Sequence, residues 1–190
     1  MPDLSALTLR TPRLLLRPHG PDDVPLLFAL FSDPQTMRYW SSPPWTDPDQ
    51  AVKLIERDRA AAREGAAVRL GIVRSEDGRL VGNCTLFHLD AQCRRAEVGY
   101  SLAPAAQGRG LATEAVGALL DWGFDAQGLG LNRVEADIDL RNRASARLLE
   151  RLGFVREGHL RERWIVGGEK SDSWLYGLLA AERPRAAAGR

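Results

Sequence analysis

The spacing of apolar and polar positions changes along the chain, and the changes divide it into elements. Residues 9–18, LRTPRLLLRP, alternate as a strand does and close at Pro18 and Gly20. After Asp22 and Asp23, two cap candidates, apolar residues recur at 24, 27, 28 and 31, the spacing of a helix. Residues 36–48 carry Trp40, Trp45 and several prolines, and read as a loop over something apolar. A second helix is predicted over 47–65, ended by Gly65. Residues 68–90 read as two strands joined by a Glu76-Asp77-Gly78 turn, and residues 96–102 as a third strand. Residues 112–130 read as a helix, with apolar positions at 115, 116, 119, 120 and 124. Residues 133–140 alternate strictly, Val134, Ala136 and Ile138 against Glu135, Asp137 and Asp139. A helix begins at Asn142 and stops at Gly153, and the last stretch predicts a hairpin around Gly167-Gly168. Residues 96–140 make a βαβ unit, whose crossover is right-handed. The order implies an α+β (mixed α/β) fold: one domain over 1–182, a mixed sheet with helices on both faces, and a flexible polar tail over 183–190.

Composition changes this picture little. The 190 residues are 44% hydrophobic and 27% charged, with a formal net charge of +1, which gives no bulk attraction for nucleic acid or an anionic membrane. Lysine occurs only at Lys53 and Lys170, so nearly all the basic residues are arginine, the mark of a codon bias. Cys84 and Cys93 flank a turn at heights that do not face each other, which suits a reducing cytoplasm. The amino-terminal residues hold no apolar run long enough for a signal peptide, and no later stretch approaches a membrane span.

The informative segment is LAPAAQGRGLATEA, residues 102–115. A strand stops at Pro104 and a helix opens on Gln107-Gly108-Arg109-Gly110-Leu111-Ala112-Thr113, where Ser, Asp or Asn would be the ordinary cap. The first turn of a helix carries unpartnered N–H groups and about half a positive charge. Gly108 and Gly110 let an anion approach those donors, and Arg109 adds a charge. Two readings stand at this point: a pyrophosphate cradle over 107–113, or a glycine turn with a structural role. No Gly-x-x-x-x-Gly-Lys-Ser/Thr string occurs, and Gly108-Arg109-Gly110-Leu111-Ala112-Thr113 lacks the third glycine of a dinucleotide fingerprint.

Gln107-x-x-Gly110-x-Ala112, after a strand and before a helix, resembles the Gln/Arg-x-x-Gly-x-Gly/Ala signature of the GNAT superfamily of N-acetyltransferases. TPRLLLRP at 11–18 and NRASARLLERLGFVREGHLRE at 142–162 resemble its Rim-type branch, the ribosomal-protein N-terminal acetyltransferases. The resemblance runs over about residues 8–180. It implies that acetyl-CoA lies at the cradle, with its pantetheine arm in a gap where strand 96–102 splays from strand 133–140. It also implies that Leu102 and Ala103 offer backbone groups to pantetheine, and that an amide near this strand end polarises the thioester oxygen. Asn142 is an N-cap residue by type and, by resemblance, a hydrogen-bond partner of the same arm. Ser145 is a packing residue or, by resemblance, the group that protonates the departing thiolate.

Acetyl transfer to an amine needs a neutral amine, a polarised carbonyl and a proton for the thiolate. An α-amine, with a pKa near 8 against about 10.4 for lysine, needs little base help. Glu97, mid-strand and ten residues before Gln107, lies near where, by the resemblance, some family members carry a basic carboxylate and is the first candidate base, and a solvated strand-face glutamate is the plain alternative. His88 and Asp90 come second. Trp40 and Trp45 fall in the segment that the resemblance places over the acceptor cleft and, with His88, are candidates for contact with the acceptor, and both tryptophans can equally seal a core. Cys84, in a strand with no histidine partner, reads as packing rather than as an acyl carrier. His19, His88 and His159 have no metal-ligand spacing, so no metal is expected. The resulting expectation is an acetyl-CoA-dependent N-acetyltransferase, monomer or homodimer, acting on a protein N-terminus or a small amine by direct attack in a ternary complex. A CoA-binding module without turnover is the alternative.

Overall fold

The structure is a computed structural model in which residues 2–183 are described. A first strand pair, β1 (Leu9–Arg10) and β2 (Leu14–Arg17), leads through a 3-10 turn into α1 (Val24–Ser32), a short α2 (Pro34–Met37) and α3 (Asp49–Arg63). Then come β3 (Val68–Arg74), β4 (Leu80–Asp90), β5 (Arg95–Leu102), α4 (Leu111–Phe124) and β6 (Arg133–Asp139). The chain continues through α5 (Arg143–Arg151), β7 (Val155–Val166) and β8 (Glu169–Leu179). The eight strands form one sheet in the order β1-β2-β3-β4-β5-β6-β8-β7. Every neighbouring pair is antiparallel except β5 and β6, the pair joined by the α4 crossover.

Alternation along the strands sorts side chains between two faces. Ala96, Val98 and Leu102 of β5 join Leu86 of β4 in a core covered by Ala115, Val116, Leu119 and Leu120 of α4 and Leu149 of α5. On the other face α3 lies over β3, where Asp58 pairs with Arg69, and a smaller apolar cluster joins Leu27, Phe31, Leu54 and Ile55. Helices therefore cover both faces, as the sequence pattern predicts. No helix among the described residues is long and apolar enough to cross a membrane.

Several boundaries differ from the pattern reading. The helix expected over 112–130 ends at Phe124, because Asp125 leaves the helical region at ψ 140. The segment 36–48 is not all loop: Asp33 accepts from the Gln35 and Thr36 amides at 3.2 and 3.1 Å and caps the single turn of α2. Asp23 does not cap α1. Its carboxylate turns back to accept from both terminal guanidinium nitrogens of Arg17, at 2.6 and 3.0 Å, and from the Gly20 amide at 2.8 Å. Cys84 is buried in β4 and Cys93 is exposed in the β4–β5 turn, and both are free. From residue 184 onward the expected tail lies outside the described residues. Arg183 is held, by the Asp121 carboxylate at 2.9 Å and the Leu152 and Gly117 carbonyls at 3.1 and 3.2 Å.

Candidate active site

β5 and β6 run parallel for only three rungs, Arg95 to Arg133, Ala96 to Val134 and Glu97 to Glu135. Beyond Glu97 they part, while β5 stays paired with β4 as far as Leu102 opposite Gly82. Gly82 permits that pairing, since a Cβ there would stand 2.2 Å from the Ser101 carbonyl oxygen. Backbone N–H groups of a strand alternate between its two edges. The Ala103 amide donates to Val81 at 2.9 Å on the β4 side, so the Leu102 amide faces the opened edge. The Leu102 carbonyl on that edge accepts from Gln107 Nε2 at 3.0 Å, which closes the loop between β5 and α4. The gap is thus an edge with strand donors and no strand partner, beside a loop fixed by its own glutamine.

The amino end of α4 opens into the same gap. Its N-cap is Gly110, at φ 75, and no side chain caps it. Gly108 is also left-handed, at φ 74, and a Cβ there would meet nothing within 4 Å. Both glycines are in conformations that other residues adopt only at a cost. The strand pair at the amino terminus braces this corner. Arg13 donates to the Arg109 carbonyl at 3.1 Å, and Glu114, in the first turn of α4, takes the Thr11 hydroxyl and Arg13 Nε, each at 2.6 Å.

α5 forms the opposite wall. Asn142 caps it, accepting from the Ser145 amide at 3.1 Å, so its Nδ2 hydrogens are not needed for capping. Tyr100 crosses the gap from β5, its hydroxyl donating to the Ser145 carbonyl at 3.4 Å. Burial raises the Tyr100 pKa and keeps the phenol neutral. The resulting cleft has a volume of about 460 Å³. It is lined by Leu102, Gln107, Gly108, Gly110, Leu111, Ala112 and Thr113 on one side, and by Asn142, Ser145, Arg147 and Arg151 on the other. Gln35, Thr36, Tyr39 and Trp40 close one end. An uncapped helix end, an unpaired strand edge and two arginines suit a ligand with a diphosphate and an amide-bearing arm.

Six expected site residues, Ala103, Arg109, Trp45, Glu97, His88 and Asp90, do not line this cleft. The Ala103 amide and carbonyl are already taken, by Val81 and by the Ala106 amide at 2.8 Å. Arg109 is exposed, its side chain outside the lining. Trp45 packs on Phe31 at 4.6 Å between ring centres, whereas Trp40 meets Phe31 edge-on and also reaches the cleft. Glu97 lies at the last parallel rung, about 13 Å of strand from Ser101 at the usual rise. Burial raises its pKa against the lowering effect of His88, whose Nδ1 is 3.2 Å away. Pattern reading missed Tyr39, Tyr100, Ser101, Arg147 and Arg151. The last two share a helical face with Ala144 and Leu148 rather than with Ser145, and Tyr100 and Ser101 follow directly from the splay.

Residues 13–155 match the family of acetyltransferase (GNAT) domains. The chain is 37% identical over 175 residues to an uncharacterized N-acetyltransferase, p20, of Bacillus licheniformis, covering 92% of this chain and 97% of that one. It is 28% identical over 160 residues to a spermidine N(1)-acetyltransferase of Vibrio cholerae, covering 84% and 89% of the two chains. A crystal structure of spermidine N-acetyltransferase from Vibrio cholerae, in complex with CoA and spermine, superposes with a TM-score of 0.80 at 26% identity, over 90% and 98% of the chains. The βαβ unit with its opened parallel pair and uncapped helix is therefore part of an N-acetyltransferase fold, and the chain belongs to the GNAT acetyltransferase family.

Proposed function

We propose that the protein transfers an acetyl group from acetyl-CoA to a primary amine, an α-amine or a small-molecule amine, within a ternary complex. The observation that carries this reading is the gap beyond Glu97 meeting the uncapped, left-handed Gly110 end of α4. Acetyl-CoA, when bound, supplies an activated thioester. The chain's own residues supply the rest. The N–H groups of residues 108–113 hold the diphosphate, and Arg147 and Arg151 add charge beside them. The Leu102 amide, on the opened edge, donates to the thioester oxygen and makes the carbonyl carbon more electrophilic. Asn142 Nδ2 and the α5 wall orient the arm.

Ser145 holds the proton side of the reaction, its hydroxyl stabilising the departing thiolate by hydrogen bonding. Tyr100, neutral and braced on the same turn, keeps that wall in place. Glu97, with its raised pKa, accepts the amine proton through solvent rather than by contact, given its distance along β5. An α-amine, partly neutral at pH 7, tolerates such an indirect base.

The test is an acceptor screen with amino-terminal peptides, polyamines and aminoglycosides, scored by thiol release and by the mass of the product. Amine-dependent thiol release above the enzyme-free rate supports transfer. Tight acetyl-CoA binding with no amine-dependent release supports the alternative, a CoA-binding module.

A further inference from the structure

Ser101 lines the cleft, and its orientation is set by neighbours on the face of the sheet that carries α3. On β3, Arg69 lies 2.9 Å from Asp58 of α3, as an ion pair rather than an aligned hydrogen bond. Arg69 Nη1 donates to Asn83 Oδ1 at 3.2 Å, and Asn83 Nδ2 donates to Ser101 Oγ at 3.2 Å. Asn83 is fully buried and Ser101 is 7% exposed. The strand registers bring them together, Asn83 opposite Ser101 and Arg69 opposite Thr85.

The chemistry of the three groups leaves one proton arrangement. A guanidinium has donors only, so the atom of Asn83 that faces Arg69 is its oxygen. The amide nitrogen therefore faces Ser101, and the serine oxygen accepts. A hydroxyl that accepts from Asn83 must send its own proton elsewhere, and among the described residues no atom takes it. Ser101 is also a lining residue of the cleft, so a group bound there is within the reach of that unassigned proton. Ser101 projects to the face of the sheet that carries α3 and Asn83, whereas Tyr100 and Leu102 project to the face of α4 and α5. The residues that close that end of the cleft, Gln35, Thr36, Tyr39 and Trp40, follow α1 and precede α3.

We infer that Ser101 is a specificity-determining donor, set by Arg69 through Asn83, that selects amines bearing an acceptor oxygen on the carbon chain beside the attacking nitrogen. This rests on the acetyltransferase reading above. The amine nitrogen cannot itself be the partner, because a hydrogen bond to its lone pair would quench the nucleophile. A carbonyl or hydroxyl oxygen near it, as in an α-amino amide or an amino alcohol, can take the proton and leave the lone pair free. A simple alkylamine of the same shape leaves the buried serine donor unpaired, and a site built this way rejects it.

The test compares L-alaninamide with 3-methyl-2-butylamine, which has the same branching and no oxygen. Thiol release is measured per concentration of neutral amine, and acetyl-CoA affinity by calorimetry. The wild-type protein is expected to favour the amide by about tenfold to a hundredfold in kcat/KM. Ser101→Ala removes the donor. Asn83→Asp keeps Ser101 and the Arg69 pairing, but turns the serine proton back onto the new carboxylate. Both variants are expected to bring the preference within about threefold, with acetyl-CoA affinity unchanged, and Ser101→Thr to restore it. A preference retained in both Ser101→Ala and Asn83→Asp, or a wild type that uses the two amines equally, overturns the inference alone. A wild type that binds acetyl-CoA and releases thiol with no amine in the screen overturns the acetyltransferase reading as well.

Discussion

Arg13 and Glu114 tie the amino-terminal strand pair to the first turn of α4, Nε to Oε2 at 2.6 Å. The same carboxylate takes the Arg13 amide at 3.0 Å and the Thr11 hydroxyl at 2.6 Å. Burial would raise the Glu114 pKa, but these hydrogen bonds outweigh it and lower the value. Arg13 also holds the Arg109 carbonyl, so the Thr-x-Arg of the first strands buttresses the loop expected to grip the diphosphate. Glu114→Ala is predicted to weaken acetyl-CoA binding by about threefold to tenfold, with a smaller change in acceptor KM, as measured by calorimetry and steady-state kinetics. An affinity equal to wild type would separate the brace from the cradle.

Gly110 carries the sharper prediction. At φ 75 a side chain costs about 1–2 kcal/mol in backbone strain. The nearest atom to a Cβ there is Arg13 Nη2 at 3.6 Å, so a Glu at this position enters open space rather than the core. Gly110→Glu is predicted to fold, with a midpoint lowered by a few degrees, and to lose acetyl-CoA affinity by about a hundredfold or more, because a carboxylate then occupies the end of the helix proposed to hold the diphosphate.

Gly82 tests the geometry of the opened strand. Its missing Cβ leaves room for the Ser101 carbonyl, which would otherwise stand 2.2 Å away. That contact is with backbone, so no rotamer change relieves it. Gly82→Ala is predicted to destabilise the fold by more than about 2 kcal/mol in urea denaturation and to lower kcat/KM in whatever protein remains folded.

His19 makes stability depend on pH. It is 4% exposed, stacked over Gly71, and neither ring nitrogen has a partner. Burial pulls its pKa down from 6.5 to about 4, against the opposing charge of Asp23 and with the help of Arg69 and Arg17. The unfolded chain therefore takes up this proton first as the pH falls. Stability from this group is complete above pH 6.5, declines as the pH drops from there to about 4, and changes no further below that, a loss on the order of 3 kcal/mol. Urea unfolding across this range should show the decline in the wild type and a flatter profile in His19→Leu. Equal slopes in the two proteins would remove His19 from the account.

Local sequence made much of this legible. Period-two and helical spacing locate the βαβ unit, and the glycines at 108 and 110 mark the uncapped helix from sequence alone. The opened parallel pair followed from the family resemblance and is visible in the three rungs that end at Glu97. What stayed hidden depends on register. Ser101, Asn83, Arg69 and Asp58 lie on four elements, and only the pairing of Asn83 with Ser101 and of Arg69 with Thr85 aligns them. The tryptophans divided for a related reason. Trp40 and Trp45 both pack on Phe31, but only Trp40 also turns toward the cleft, and spacing along an irregular segment does not determine that. The Ala103 amide turns to β4 rather than to the gap, because its direction depends on which edge of β5 the odd residues face, and Val81 settles that only in three dimensions.

The most direct measurement is a crystal structure of the protein with CoA. The account predicts the diphosphate within hydrogen-bond distance of N–H groups in residues 108–113, and the pantetheine arm between β5 and Asn142. Electron density for the coenzyme elsewhere, with the Gly110 corner filled by the protein's own side chains, would contradict it.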